Sequence, residues 1–219
     1  MIKYVLFDMD GTLLDTEPLY EQSWVEAGEK YGVDVADMYA SLVCGRPVDS
    51  AKDALWDRFG KDFDAEGLVK LRMDRYRELT KTDLKLKDGC VEILKFLKEY
   101  SISCALATST LTDLAMRNID RTGIKDYFSA VVTSAMVERG KPFPDIFLEA
   151  GKRIGAVSDE CIVCEDSYSG IAAAYAAGMI PIFIPDRQPP NSETEKMSYR
   201  TLDSLYDVIE LIKKENNIK

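Results

Sequence analysis

The 219-residue chain contains no histidine. That absence removes Ser-His-Asp and Cys-His catalysis, His-ligated zinc, and the side chain that ordinarily serves as general base near neutral pH. Acid-base chemistry, if the protein performs any, falls to carboxylates, Lys, Tyr or Cys. Long apolar runs are also missing: none approaches the roughly 20 residues needed to cross a bilayer. The apolar segment at residues 1–7 is too short for a secretory signal and meets carboxylates at once. The expectation is a cytoplasmic protein with no membrane partner. Positive charge is scarce, with 28 Lys and Arg against 38 Asp and Glu and a net charge of −10. A general nucleic-acid binder needs a basic surface, so that class is excluded. The same charge repels a phosphate ester at long range, so an anionic substrate would require local cations or a metal.

Cysteine is sparse, and its count of five does not suggest a disulfide framework. Cys161-Ile162-Val163-Cys164 has the spacing of a redox or zinc pair. The segment reads as a buried strand, however, and residues three apart on a strand point to opposite faces. These sulfurs are expected to be small buried hydrophobes.

What the chain does have is apolar material, 46% of its residues, enough for one large core or a core with a smaller satellite domain. Residues 2–7 read as a first strand bounded by Asp8-Met9-Asp10-Gly11. Residues 17–32 are helical, with Pro18 tolerated in the first turn. Residues 34–82 hold amphipathic helical stretches and no convincing strand. Leu68, Leu71, Tyr76 and Leu79 give approximate helical spacing there. Beyond Leu86 the rhythm alternates. Strands are expected at 102–107, 130–133, 161–164 and 180–184, and helices at 91–99, from 112, and at 143–154, 168–177 and 205–214. Pro189-Pro190-Asn191-Ser192 reads as a loop. Alternation of this kind predicts an α/β fold with a parallel sheet covered on both faces. The helical block sits between the first strand and the rest. The expected organisation is therefore a core domain of residues 1–15 and 86–219, with residues 16–85 inserted as a helical cap.

Ligands of such sheets gather at the carboxyl ends of the strands. Asp8 and Asp10 follow the first strand, Thr108 and Ser109 the second, Lys141 the third, and Glu165 with Asp166 the fourth. Four separate segments thus deliver polar groups to one edge. Three carboxylates (Asp8, Asp10 and Asp166) converging there would repel one another unless a cation neutralised them. Oxygen-only ligands suit Mg²⁺, which can polarise a phosphoryl oxygen. Asp8 can then act as nucleophile and form an aspartyl-phosphate. Asp10 can protonate the leaving alkoxide and later take a proton from water. Thr108 and Ser109 offer donors to the non-transferring oxygens, and Lys141 offers positive charge for the developing phosphoryl charge. Taken singly, each motif has an ordinary structural explanation: a turn, an N-cap, a solvated lysine, or acids at a helix start.

Asp8-Met9-Asp10-Gly11-Thr12-Leu13, with Thr108-Ser109, Lys141-Pro142 and Glu165-Asp166-Ser167, resembles the haloacid dehalogenase superfamily. Asp15-Thr16-Glu17-Pro18 and Gly140-Lys141-Pro142-Phe143-Pro144-Asp145-Ile146-Phe147 narrow the resemblance to its β-phosphoglucomutase-like phosphatases and mutases. The resemblance covers residues 3–184. It implies a Rossmann-like core with a helical cap that closes over the substrate, and the same roles for Asp8, Asp10, Thr108, Ser109 and Lys141. It also implies that Asp8, the backbone carbonyl of Asp10, and Asp166 ligate Mg²⁺, with Glu165 joining them in some members.

One departure bears on activity. The mutases carry a histidine where this chain has Tyr20, so the resemblance favours hydrolysis over isomerisation. Gly45-Arg46-Pro47 is similar to the family's specificity loop, and Arg72 falls near a basic cap position of the mutase. Thr16, Tyr20, Arg46 and Arg72 are thus the candidate substrate contacts. Trp24 and Trp56 are expected in the cap core. The expected substrate is a small phosphorylated metabolite such as a sugar phosphate, acted on by a monomer. Three alternatives stand beside the phosphatase. One is a β-phosphoglucomutase-like isomerase. Another is a dehalogenase, which would need no magnesium. The third is a non-catalytic phosphometabolite-binding protein.

Overall fold

A computed structural model describes residues 1–38 and 48–218 of the chain. In chain order its elements begin with β1 (Tyr4–Phe7), β2 (Leu14–Asp15), α1 (Glu17–Tyr31), α2 (Val48–Phe59), α3 (Ala65–Thr82) and β3 (Lys85–Leu86). There follow α4 (Cys90–Glu99), β4 (Ser103–Thr108), α5 (Thr112–Arg121), β5 (Ala130–Thr133), α6 (Asp145–Ile154) and β6 (Cys161–Glu165). The last are α7 (Tyr168–Ala176), β7 (Ile180–Phe183), α8 (Ser192–Met197), β8 (Arg200–Thr201) and α9 (Leu205–Asn216). The chain divides into two compact units, residues 1–15 with 85–219, and residues 16–84.

In the larger unit six strands form one sheet in the order β5-β4-β1-β6-β7-β8, every pairing parallel. β1 lies at the centre, with Leu6 opposite Ala105 on one side and Val163 on the other. Its run of Val5, Leu6 and Phe7 is wholly buried, as a central parallel strand covered on both faces requires. The chain builds outward from β1 through β4 and β5, then returns to build the other side through β6, β7 and β8. The reversal falls beside β1, and the carboxyl ends of strands next to such a switch point form a crevice.

Helices follow the apolar spacing of their sequences. In α6, Ile146, Phe147 and Ala150 turn one face into the core beside Leu6, Ala105 and Val163. α7 is rich in alanine, and its small side chains let it approach the sheet closely. Gly170, in its first turn, lies against the end of β6. A Cβ there would stand 1.7 Å from Oε1 of Glu165.

β2 and β3 form a separate antiparallel ladder, Leu14 opposite Leu86 and Asp15 opposite Lys85. Residues 15 and 85 are therefore side by side, so the inserted segment leaves and re-enters at one place. The Lys87 N–H donates to the Leu13 carbonyl at 2.9 Å, and its Nζ donates to Asp186 Oδ1 at 2.9 Å.

The smaller unit is helical. Trp24, Ala27, Leu55 and Leu68 form its centre. α1 ends at Gly32, whose left-handed backbone closes the helix. Asp64 caps α3 by accepting the Gly67 N–H at 2.9 Å, and Glu26 on α1 pairs with Arg75 on α3. Trp24 is buried; Trp56 is half-buried and donates from its indole to the Phe63 carbonyl at 3.1 Å.

Several expected boundaries shift. The first strand begins at Tyr4 rather than residue 2, and the helix expected from residue 143 starts at Asp145. The short elements β2, β3 and β8 add to the expected strands, because two-residue strands carry no readable alternation. The loop at Pro189-Pro190 runs directly into α8, where Asn191 accepts N–H bonds from Glu193 and Thr194 at 2.9 Å.

The contact between α7 and β6 generates a prediction. Gly170→Ala is expected to lower stability by about 1–3 kcal/mol, the usual range for an overpacked interior site. Chemical denaturation measures it, and an unchanged midpoint would contradict the contact.

Candidate active site

The polar groups at the carboxyl edge are placed by short, well-bonded turns. Asp8 is still tied to the sheet, its N–H donating to the Cys164 carbonyl at 3.0 Å. The chain then doubles back. The N–H groups of Leu13 and Leu14 both reach the Met9 carbonyl, at 3.0 and 2.9 Å, and Gly11 N–H reaches the Leu14 carbonyl at 2.9 Å. Gly11 has φ +79°, and a Cβ on it would fall 2.2 Å from Asp166 Oδ2. Only glycine suits that position on both counts. Thr12 contributes a weak hydroxyl contact to Asp166 Oδ1 at 3.3 Å.

Lys141 lies at the centre of the cluster, its side chain 5% exposed. Its ammonium donates to Asp8 Oδ1, to Glu165 Oε1 at 2.6 Å and to the Ala107 carbonyl at 3.3 Å. Three acceptors match the three hydrogens of a lysine ammonium. Its ring neighbour is Phe147, whose centroid is 5.0 Å away. The loop that carries Lys141 is held at its base by a bidentate pair, Arg139 to Asp145 at 2.8 and 2.9 Å, and the guanidinium stacks on Phe143 at 4.6 Å.

Glu165 is completely buried. One oxygen serves Lys141; the other accepts the N–H and the hydroxyl of Ser167, at 2.8 and 2.9 Å. As placed, Glu165 spends both oxygens inside the protein and acts as the anchor of Lys141.

The end of β4 supplies hydroxyls. Thr108 is buried, and its Oγ1 accepts the Thr110 N–H at 3.0 Å. Thr110 Oγ1 donates to Asp10 Oδ2 at 2.6 Å, while Thr108 Oγ1 stands 3.5 Å from the same oxygen. Ser109 between them is exposed and does not cap α5, whose N-cap position is Leu111.

Charge is unbalanced here, with the carboxylates of Asp8, Glu165 and Asp166 around one ammonium. Burial, reinforced by Glu165 and Asp10 and opposed by Lys141, pushes the Asp8 carboxyl up to about 8. Asp166 is likewise raised well above the ordinary carboxylate range, by enclosure in the protein and by Glu165 and Asp8. For Lys141 burial alone would lower the value, but the two carboxylates outweigh it and raise it. Among the described residues no three Asp, Glu, Cys or His side chains are arranged to hold one ion by themselves. Mg²⁺ does not ask for three: it takes one or two carboxylates, completes its shell with carbonyls and water, and prefers oxygen throughout. The excess negative charge at Asp8 and Asp166 and the all-oxygen donor set fit that ion.

The remaining candidates lie in the helical unit. Thr16 is buried at the N-cap position of α1, and its carbonyl accepts the Tyr20 N–H at 2.9 Å. Arg72 is buried, donates from Nη2 to the Tyr20 hydroxyl at 2.8 Å, and stacks over the rings of Tyr20 and Trp24 at 4.1 and 4.9 Å. Arg46 lies outside the described residues. The structure thus gathers Asp8, Asp10, Thr108, Lys141, Glu165 and Asp166 in one unit, and Tyr20 with Arg72 in the other. The residue that sequence reasoning missed is Thr110, one position beyond the Thr108-Ser109 pair; a third hydroxyl directly after that pair was the available signal. Cys161 and Cys164 are free and buried, and burial pushes the Cys161 thiol up to about 12.

The described helices include none long and apolar enough to cross a membrane. Residues 5–184 match the sequence model of the haloacid dehalogenase-like hydrolases. A phosphorylated carbohydrates phosphatase of Thermotoga maritima is 34% identical over 179 residues, covering 82% of this chain and 83% of that protein. The fructose-1-phosphate phosphatase YqaB of Escherichia coli is 31% identical over 177 residues, covering 80% and 92%. Among solved structures, a HAD hydrolase, family IA, variant 3, of Entamoeba histolytica has a TM-score of 0.81 at 29% identity, over 97% of this chain and 100% of that one. With Asp8 at the end of the central strand and the match spanning most of its length, the chain belongs to the haloacid dehalogenase-like hydrolases, in their β-phosphoglucomutase-like branch.

Proposed function

We propose that this chain is a magnesium-dependent phosphatase of a small phosphorylated metabolite, a sugar phosphate by preference, working through an aspartyl-phosphate on Asp8. The observation that carries this reading is the pairing of buried Asp8 with Lys141 at the end of the central strand, with Asp10 held two residues on. An Asp8 oxygen attacks phosphorus, and the bond from phosphorus to the ester oxygen breaks with its electron pair. The departing alkoxide takes the proton carried by the Asp10 carboxyl. Water then gives a proton to Asp10 and attacks the phosphoryl group, and the electron pair of the phosphorus–Asp8 bond returns to the carboxylate. The products are the alcohol and inorganic phosphate.

Lys141 places fixed positive charge beside Asp8, where negative charge accumulates as the phosphoryl group moves. Thr108 and Ser109 are the candidate partners of the non-transferring oxygens. Magnesium held by Asp8, Asp166 and the Asp10 backbone carbonyl would neutralise the acidic cluster, keep Asp8 ionised and polarise a phosphoryl oxygen. Glu165 is assigned to Lys141, because both its oxygens are already engaged.

Hydrolysis is favoured over isomerisation because Tyr20 occupies the mutase histidine position and accepts a hydrogen bond from Arg72. The names of the relatives point the same way: phosphorylated carbohydrates in one, fructose 1-phosphate in the other. The helical unit is assigned the part of a cap, with Thr16, Tyr20, Arg46 and Arg72 as its candidate substrate contacts.

Phosphate release from a panel of sugar phosphates, nucleotides and other small phosphomonoesters tests the reading directly. Asp8→Asn is expected to abolish turnover, a loss of at least about 10³-fold given removal of a covalent nucleophile, while the protein stays folded by circular dichroism. Residual activity near the unmutated rate would sink the nucleophile assignment. Activity is also expected to vanish in EDTA and return with Mg²⁺; full activity in EDTA would reject the metal.

Stability should carry a matching pH signature. A carboxyl at about 8 in the folded protein and about 4 unfolded costs stability as pH rises between those values, because the unfolded chain releases its proton first. Asp166 acts in the same direction. Lys141, raised above its ordinary value, contributes fully throughout that window. The carboxylates held low by arginine, Glu26, Asp145 and Glu149, lose stabilisation only as pH falls through the ordinary carboxylate range, below this comparison, and the chain has no histidine to titrate between pH 5.5 and 8. The metal-free protein is expected to melt at a higher temperature at pH 5.5 than at pH 8, and added Mg²⁺ to raise the melting temperature more at pH 8. A metal-free melting temperature that is flat or rises over this range would contradict the electrostatics.

A further inference from the structure

We infer that Thr110 is a positioning residue for the proton transfer made by Asp10, and that it tunes the enzyme for substrates with a poor alkoxide leaving group. The inference rests on the acid/base reading of Asp10 given above. Asp10 follows the central strand by three residues and sits in a loop, so its carboxyl has torsional freedom that the sheet does not remove. Thr110 restricts it. The hydroxyl donates to Asp10 Oδ2 at 2.6 Å, which makes Oδ2 the acceptor and directs the exchangeable proton to the other oxygen of the carboxyl. Thr110 is itself fixed. Its N–H is held by the buried Thr108 hydroxyl at 3.0 Å, and Thr108 is the last residue of β4, opposite Thr133 in the sheet. These two hydrogen bonds carry the sheet's rigidity through Thr108 and the Thr110 hydroxyl to the carboxyl of Asp10. The two strands neighbouring the switch point thereby share control of one proton: β1 supplies the acid and β4 aims it.

The chemistry predicts where this matters. A sugar alkoxide is a poor leaving group and must be protonated as the ester bond breaks, whereas p-nitrophenolate leaves without help. The parameter kcat/KM reports the steps up to release of the alcohol, before water attacks. An acid that is present but poorly aimed therefore lowers kcat/KM for a sugar phosphate and spares it for p-nitrophenyl phosphate. Misplacement of a catalytic group by about 1 Å can cost up to about 10²-fold.

The experiment compares kcat/KM for fructose 1-phosphate and p-nitrophenyl phosphate, with Mg²⁺, in the parent enzyme and in Thr110→Val, Thr110→Ser and Asp10→Asn. Thr110→Val is expected to lose about 10-fold or more on fructose 1-phosphate and under about 3-fold on p-nitrophenyl phosphate, within the range of acid-base contributions. Thr110→Ser, which keeps the hydroxyl, should restore both to within about twofold of the parent. Thr110→Ala provides the same contrast should the valine variant fold poorly. Equal losses on the two substrates, no loss on fructose 1-phosphate, or failure of serine to rescue would each overturn the inference while leaving Asp10 in place. Parent-like hydrolysis of fructose 1-phosphate by Asp10→Asn would instead overturn the acid/base reading on which it depends.

Discussion

The ammonium of Lys141 is the charge around which the carboxyl edge of the sheet is assembled. It is enclosed by protein and gives its three hydrogens to Asp8, Glu165 and the Ala107 carbonyl. Without it, two buried carboxylates on neighbouring strands would face each other uncompensated. Breaking a buried ion pair by removing one partner typically costs about 3–5 kcal/mol. The loop that delivers the lysine is stapled by Arg139 and Asp145, and Glu165 is locked from the other side by Ser167 and by the closeness of Gly170. Each of these features exists to hold one cation at one point.

That arrangement leaves the site short of positive charge. Asp166 joins Asp8 and Glu165, and one lysine cannot neutralise all three. The imbalance appears as raised proton affinity at Asp8 and Asp166. A site that holds protons too tightly in its bare state is one that welcomes a divalent cation. The chain as a whole is acidic, so attraction of a phosphate ester has to be generated locally. The site and the chain as a whole are thus both over-supplied with negative charge.

Precision at the site comes from short connections. Asp8 remains hydrogen-bonded to β6, and the doubled-back turn at Gly11 packs directly on Asp166. Asp10, one step further from the sheet, is steadied from β4 by way of Thr110. Asp8 is therefore held by the sheet at the end of the strand that bears it. Asp10 is held by a neighbouring strand.

Much of the fold was legible along the chain. Buried runs such as Val5, Leu6 and Phe7 announce central strands, and their alternation with amphipathic segments announces a parallel sheet. Asp8, Thr108 and Glu165 fall at strand ends and Lys141 in the loop that follows another strand, and parallel ladder geometry puts those ends on one edge. What the sequence determined by itself is accordingly the class of fold and which polar groups gather at the carboxyl edge of its sheet. Tertiary structure alone decided who serves whom. That Glu165 turns to Lys141, that Thr110 rather than Ser109 reaches Asp10, and that Arg72 stacks between Tyr20 and Trp24 all depend on contacts between residues far apart in the chain. Hydrogen-bond partners are decided by differences in distance of a few tenths of an ångström, which no periodicity in the sequence can encode.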